Sequence, residues 1–269
     1  MNLPRQPKMP RLLGVLLCYN DADILGDVIE HMRANHHDLV VWDHGSEDDT
    51  PRVLAKYSNQ LLEHRLIPRS FDFYGLYQAM SQYLIQNYVA RYDWISWPDQ
   101  DEILEGPRRD RPYHEYLSDV FDSPYNWIQF NNYNYWLMDG DDATIVSPTK
   151  RIRHYSLFPD CAPRIRSWRA SATNIRLFNH NPLAGERNPA MFNLRHYSAR
   201  TPEQIHNRIF KDRANLQRAG MNYHYNNMKT NIQSIRFTPE QFHYDDGVGD
   251  LDATPRFNWR QLYGTGPQP

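Results

Sequence analysis

Asp99-Gln100-Asp101-Glu102 places three carboxylates within four residues. Such a crowd must be protonated or matched by positive charge, because like charges repel and burial adds a desolvation cost. A divalent cation is one solution. Mg²⁺ or Mn²⁺ takes hard oxygen ligands, usually one or two carboxylates completed by substrate phosphates and water, and acts as a Lewis acid toward a departing diphosphate. The D-x-D spacing alone is weak, since Asp21/Asp23, Asp139/Asp141 and Asp250/Asp252 repeat it. What sets Asp99 and Asp101 apart is an apolar strand directly before them and a glutamate directly after. Asp139/Asp141 encloses Gly140 and reads better as a turn between strands. Two other polar groups belong with the first: Asn20-Asp21, and the loop Asp43-His44-Gly45-Ser46-Glu47-Asp48-Asp49.

The elements that must position these groups follow from periodicity. Leu12 to Cys18 is a continuous apolar run suited to a strand buried on both faces, and it ends at Asn20-Asp21. Ile24, Leu25, Val28, Ile29 and Met32 then recur at helical spacing, with Asn20 or Asp21 placed to cap the first turn. Asp38 to Trp42 supplies a second strand ending at Asp43, and Thr50-Pro51 opens the next helix as N-cap and first helical residue. Leu61 to Leu66 is a third strand, a helix carries Leu76, Tyr77, Met80, Tyr83, Leu84, Asn87 and Tyr88 on one face, and Trp94 to Trp97 is a fourth strand. Alternating strands and helices predict an α/β, Rossmann-like and mostly parallel sheet with helices on its faces. Ligands of such sheets bind outside the carboxyl ends of the strands, so all three polar groups are expected along one edge.

The second half is less regular and is expected to be α+β. Asn126 to Trp136 reads as a strand, Thr201 to Gln204 as a capping box that opens a helix with Ile205, Ile209 and Leu216 inward, and the stretch beyond Thr238 as a tail or wrapping segment. The expected organisation is therefore a first half over 11–110, a second half of the same domain over 111–237, and the segment 238–269.

Bulk properties narrow the partners. A formal net charge of -2 offers no concentrated basic surface for nucleic acid. Cys18 and Cys161 are far apart and belong to no Cys/His ligand run, which argues against a disulfide framework and a zinc module and favours a reducing, cytoplasmic setting. No stretch nears the roughly 20 apolar residues of a membrane span, so any membrane association is expected to be peripheral. The apolar run after Arg5, Lys8 and Arg11 is read as a core strand and not as a leader.

The order Cys18-Tyr19-Asn20-Asp21, Asp43-His44-Gly45-Ser46-Glu47-Asp48-Asp49-Thr50 and Asp99-Gln100-Asp101-Glu102 resembles the family 2 glycosyltransferases of the GT-A fold over roughly Leu12 to Leu104. There the text runs approximately R-N-E, D-N-G-S-T-D-G-T and D-x-D-E. The resemblance implies transfer of a hexose-type sugar from a nucleotide-diphosphate sugar, with UDP favoured, to a glycan or other hydroxyl acceptor, in an inverting, metal-dependent step of polysaccharide building. It implies nucleotide-binding roles for Asn20, Asp21, Asp43 and Asp99, a loop-shaping role for Ser46 and Asp48, and metal ligation by Asp99 and Asp101 with support from Glu102. Asp21 stands where the family has Glu, and His44 and Asp49 where it has Asn and Gly, so nucleotide preference is open to change.

A weaker resemblance lies in Arg195-His196-Tyr197-Ser198-Ala199-Arg200, similar to an H-Y-x-x-R segment of related bacterial enzymes. It implies His196 as a further metal ligand and Arg195, Arg200 and Arg208 as diphosphate contacts. The residue that takes the acceptor's proton is not fixed by the sequence: Asp141, Asp160 and Glu186 are all conceivable. Trp127, Tyr133, Tyr135, Trp136 and Trp168 could stack on sugar rings, although aromatics at such spacing are more often core. Two rivals stand beside this reading. A sugar nucleotidyltransferase would normally carry a glycine-rich phosphate loop after the first strand, which Cys18 to Asp23 lacks; a catalytically inactive sugar- or nucleotide-binding protein would keep the fold without a base.

Overall fold

The computed structural model describes residues 9–69, 73–158, 164–173, 185–207 and 237–257. The elements in chain order are β1 (Leu12–Cys18), α1 (Leu25–Ala34), β2 (His37–Asp43), α2 (Thr50–Tyr57), β3 (Glu63–Leu66), α3 (Phe73–Asn87), β4 (Trp94–Ser96), β5 (Glu102–Glu105), α4 (Tyr113–Phe121), β6 (Trp127–Trp136), α5 (Pro148–Arg151), β7 (His154–Leu157), β8 (Arg164–Arg169), β9 (Arg187–Ala199), α6 (Pro202–Asn207) and β10 (His243–Tyr244). The chain divides into two compact units, residues 1–132 with 162–195 and residues 133–161 with 196–269, so β6 and β9 each contribute to both.

In the first unit β3, β2, β1 and β4 lie side by side and parallel. Every residue of β1 is buried, as the uninterrupted apolar run predicts for a central strand covered on both faces. Gly14 is required there, because a Cβ at that position would sit 2.4 Å from Leu39 Cδ2 of the neighbouring strand. One face of the sheet packs on α3, joining Leu13, Val15, Leu17, Val40, Leu76, Met80, Leu84, Ile95, Trp97 and Trp168. The other carries α4 through Tyr113, Leu117 and Val120 against Leu12, Trp94, Ile128 and Phe192. Beyond β4 the direction reverses: β8 pairs antiparallel with β4, and the first half of β6 pairs antiparallel with β8. The result is a mixed α/β fold with a mostly parallel central sheet flanked by helices, as expected from the sequence.

In the second unit the latter half of β6 pairs antiparallel with β7, and β7 with β10. The segment after Thr238, expected to be a tail or wrapping stretch, holds β10 and buries Phe242 and Phe257 with Trp136, Met138 and Ala199. Tyr135 donates to the Asp245 carboxylate at 2.6 Å, fixing that segment further.

Several local expectations are corrected. Neither Asn20 nor Asp21 caps α1 with its side chain: Ile24 occupies the cap, and the backbone carbonyl of Asp21 takes the amides of Ile24 and Leu25. Asp49, not Thr50, is the N-cap of α2, and Pro51 is the second helical residue; the Thr50 hydroxyl instead accepts from the Asp21 amide at 3.0 Å. The capping box at Thr201 is half formed, since Thr201 Oγ1 accepts from the Gln204 amide while Gln204 Oε1 takes the amide of Arg200. Ile209 and Leu216 lie outside the described residues. The helices α4 and α5 and the strands β5, β7, β8, β9 and β10 were not foreseen; β8, for one, runs Arg, Ile, Arg, Ser, Trp, Arg, which gives no clean apolar–polar alternation.

Candidate active site

The carboxyl ends of β1, β2 and β4 bring the three polar groups to one edge, since these strands are parallel and in register from Leu12/His37/Trp94 onward. After β1 the chain turns sharply at Asn20, whose φ of 54° is left-handed, a conformation Asn tolerates better than most residues. The Asn20 amide donates to Ser46 Oγ at 3.0 Å and its side-chain carbonyl accepts from the Glu47 amide at 2.8 Å. Asp43, 1% exposed at the end of β2, accepts from both the amide and the hydroxyl of Ser46, at 2.9 and 2.6 Å. Asp48 ties the same two loops together, taking the Ala22 amide on one oxygen (3.1 Å) and the Thr50 amide on the other (2.8 Å). Asn20, Asp21, Asp43, Ser46 and Asp48 therefore form one interlocked rim. Gly45, at φ 67°, lets that loop pass beside Arg69, whose guanidinium lies 3.7 Å from the centre of the Tyr19 ring.

The loop after β4 closes on itself. The Asp99 amide donates to Glu102 Oε2 at 2.9 Å and the Glu102 amide to the Asp99 carbonyl at 3.1 Å, so Asp99 to Glu102 is a tight turn leading into β5. Asp101 and Glu102 are buried, whereas the Asp99 side chain keeps 30% of its exposure. The counter-charge comes from β8. Arg166 Nη2 donates to Asp99 Oδ2 at 2.8 Å and to Glu102 Oε1 at 2.9 Å, and its Nε to Glu102 Oε2 at 2.6 Å; Arg164 also reaches Glu102, and lies 3.5 Å from Asp99 Oδ2. Burial, joined by Glu102 and Asp101, holds the Asp99 carboxyl above its ordinary value against the opposing pull of Arg166 and Arg164. Burial also disfavours charge on Arg166, but Asp99 and Glu102 outweigh it and keep the guanidinium firmly protonated.

This corrects the electrostatic argument made from sequence. A divalent cation is not needed to make Asp99 and Glu102 tolerable neighbours, because two guanidiniums already perform that office. The donor chemistry is a separate question. Asp99 and Asp101 supply hard oxygens of the type Mg²⁺ and Mn²⁺ take, while among the described residues no group of three or more His, Cys, Asp or Glu side chains is assembled that could hold a metal. These two carboxylates fit an ion that draws further ligands from phosphate and water.

The other expected residues have surroundings of their own. His196 belongs to the second unit, buried, with Nδ1 2.7 Å from Asn134 Oδ1. Asp141, also in that unit, accepts from the Met138 amide at 2.8 Å, and burial raises its pKa. The Asp139–Asp142 segment is a local turn leading on toward α5 and not a simple hairpin. Glu186 is exposed, and its backbone pairs with Asn126, whose carbonyl in turn takes the amide of Arg169 opposite Trp94. That is the amino end of β4, whereas Asp99 follows its carboxyl end. Asp160 and Arg208 lie outside the described residues. Arg195 is committed to Glu105 at 2.8 Å, and Arg200 is fully buried with Nη1 on the Tyr197 carbonyl. Tyr133, Tyr135, Trp136 and Trp168 are core, not sugar platforms; Trp127 is partly exposed. The sequence reading missed Arg164 and Arg166, although their i, i+2 spacing ahead of Trp168 would have put all three on one face of a strand.

Residues 15–108 match the family described as glycosyl transferase family 2. No curated protein matches. Among solved structures, S. aureus TarS 1-349 in complex with UDP is 13% identical, with 81% of this chain and 71% of that chain covered and a TM-score of 0.39. Glucosyl-3-phosphoglycerate synthase from Mycobacterium tuberculosis, in complex with Mn²⁺, UDP and glucosyl-3-phosphoglycerate, is 12% identical over 73% of this chain and 75% of that one, with a TM-score of 0.35. HddC from Yersinia pseudotuberculosis is 11% identical over 72% and 96%, with a TM-score of 0.38. In the longer TarS structure the match spans 42% of that chain. These likenesses are too distant to carry an activity. The matched segment, which runs from β1 through the loops of Asn20, Asp43 and Asp99 to just past β5, is similar to the family 2 glycosyltransferases and covers less than half of the chain.

Proposed function

We propose that this chain transfers a sugar from a nucleotide-diphosphate sugar, UDP-linked by preference, to a hydroxyl of a glycan or similar acceptor, with inversion and with the aid of Mn²⁺ or Mg²⁺. The observation that carries this reading is the meeting of Asn20/Asp21, Asp43–Asp48 and Asp99–Glu102 at the carboxyl ends of three neighbouring parallel strands, within the segment that matches the family.

In this reading the rim made by β1 and β2 receives the base and ribose, with Asp43 held in place by Ser46 and Asp48 pinning the two loops. Asp99, the partly exposed carboxylate, stands ready to accept from a ribose hydroxyl and to share a metal with Asp101. The metal, when bound, supplies Lewis-acid stabilisation to the diphosphate leaving group. The chain's own residues orient the donor: the buried Glu102 anchors the turn, and Arg164 and Arg166 hold the acidic loop against the self-repulsion that would splay it. The acceptor's proton must go to a base on the face opposite the leaving group; Glu186 is ill placed for this, which leaves Asp141 and Asp160 as the candidates to test.

The test measures UDP binding and nucleotide-sugar hydrolysis, each with and without Mn²⁺, for the parent and for Asp101→Ala. Losing Asp101 is expected to reduce turnover by about a hundredfold or more, the scale of removing an electrostatic stabiliser of a transition state. Unchanged turnover in Asp101→Ala would move the active site elsewhere. UDP binding with no turnover toward any acceptor would favour the inactive binding protein instead.

A further inference from the structure

The acidic loop holds two kinds of carboxylate. Glu102 is fully covered and tied into the turn by the Asp99 amide, so it is an anchor; Asp99 retains exposure at the edge where the strands end. Arg166 links the two. Its side chain is 6% exposed, it comes from a strand antiparallel to β4, and its backbone carbonyl accepts from the Trp97 amide at 2.8 Å. Trp97 in turn stacks on Tyr77 of α3, with ring centres 5.4 Å apart. Backbone pairing thus fixes where the guanidinium starts, and Glu102, gripped by Nε and Nη2 together, fixes where it ends.

We propose that Arg166 is a positioning residue for nucleoside diphosphate binding: its guanidinium, braced on Glu102 and on β4, sets the orientation of the Asp99 carboxylate that meets the ligand. This rests on the functional reading above. Arg166 Nη2 donates to Asp99 Oδ2 at 2.8 Å and Arg164 Nη1 lies 3.5 Å from the same oxygen, so the two guanidiniums constrain the rotation of that carboxylate. A planar guanidinium can span two carboxylates in fixed directions, which a single ammonium cannot reproduce. Simple charge balance would need only a positive charge nearby; positioning needs this fork in this place.

The two roles separate experimentally. Arg166→Met leaves Glu102 buried without its main partner and is expected to lower stability sharply. Adding Glu102→Gln removes the stranded charge and returns the melting temperature toward that of the parent. Isothermal titration with UDP, in Mn²⁺ and in its absence, then reads the ligand affinity of each protein. If Arg166 positions Asp99, the double variant regains stability but binds UDP about tenfold or more weakly than the parent, as for loss of a charge-assisted contact. Arg166→Lys, which keeps the charge, likewise binds several-fold more weakly. UDP affinity within about twofold of the parent in the double variant or in Arg166→Lys overturns the proposal. A parent chain that binds no UDP ends the functional reading, and this inference with it, a result distinct from tight parental binding that survives both substitutions.

Discussion

The two ends of the parallel strands in the first unit bury polar groups in opposite ways. At the amino end an Arg11–Asp93 pair sits at the surface, and the more buried groups are neutral or are satisfied by backbone: the Arg169 side chain donates to the carbonyls of Phe121 and Tyr125 at 2.7 Å, and His37, the first residue of β2, places its ring nitrogens 3.0 Å from Ser96 Oγ and 3.2 Å from the Met32 carbonyl. At the carboxyl end, carboxylates from three strands are gathered, and Asp99 and Glu102 are held by arginines from a fourth. A fold needs polar closure at both ends of its sheet, but it does not need a surplus of carboxylate. The surplus is what marks the carboxyl end as a place built to meet something else.

The sharpest way to break this contrast is to remove one member of the charged set. Glu102→Ala leaves Arg166 buried without the carboxylate that grips it twice, and by analogy with other broken buried pairs should cost about 3–5 kcal/mol. Chemical denaturation would show the loss as a lower midpoint with an unchanged slope. A cost below about 1 kcal/mol, the range of exposed pairs, would mean that the arginine bridge is incidental to the fold.

Acid probes the neutral end. Burial holds His31 down to about 4 and His37 to about 3, so both are uncharged when folded near neutrality. Unfolded, each titrates near 6.5. Below that value the unfolded chain binds more protons than the folded one, so stability is fully present above pH 6.5 and is lost as pH falls toward 4 and then 3. Each histidine contributes a slope of up to about 1.4 kcal/mol per pH unit within its window. Urea midpoints from pH 7 to 5 should therefore fall, and replacing His37 with a neutral residue that keeps the fold should flatten the fall; a flat profile in the parent would show these rings to be protonated in the folded chain.

Loop closure at the charged end is worth less. Asp48→Ala removes the acceptor of two amides that join the β1 and β2 loops, an effect like losing a helix cap, about 1–2 kcal/mol. A larger fractional loss in UDP affinity than in stability is expected, because the rim of Asn20 and Asp43 would loosen while the core beneath it stays packed.

Much of this was readable from the residues alone, and the reason is local. β1 is buried throughout and β2 from Leu39 onward, so their apolar runs are unbroken there, and the polar residues that stop them make up the candidate site. α3 was legible because Leu76, Met80 and Leu84 fill one face of it. Charge balance at Asp99 was not legible, since the compensating arginines follow more than sixty residues later on a short strand whose alternation is Arg, Ile, Arg, Ser, Trp. Pairing at that separation is a property of the folded sheet and leaves only a faint periodic trace. The aromatic run of β6 misled in the other direction: Tyr133, Tyr135 and Trp136 suit sugar stacking by type, but burial decides, and it puts them in the interior.

The smallest expected effect completes the comparison. Glu186 was a conceivable base by residue type, yet it is exposed at the amino end of the sheet, where its backbone and not its carboxylate makes the contacts with Asn126. Exposed side chains away from such features change stability by less than about 0.5 kcal/mol, so Glu186→Gln should leave both the denaturation midpoint and turnover close to those of the parent. Asp99→Asn makes the same chemical change at the other end, replacing one carboxylate oxygen by an amide beside Arg166. There it removes a charge from a coupled set, and turnover should fall by an order of magnitude or more. If the two substitutions behaved alike, carboxylates would be interchangeable around the sheet, and their position at the carboxyl end of the strands would have no bearing on the chemistry.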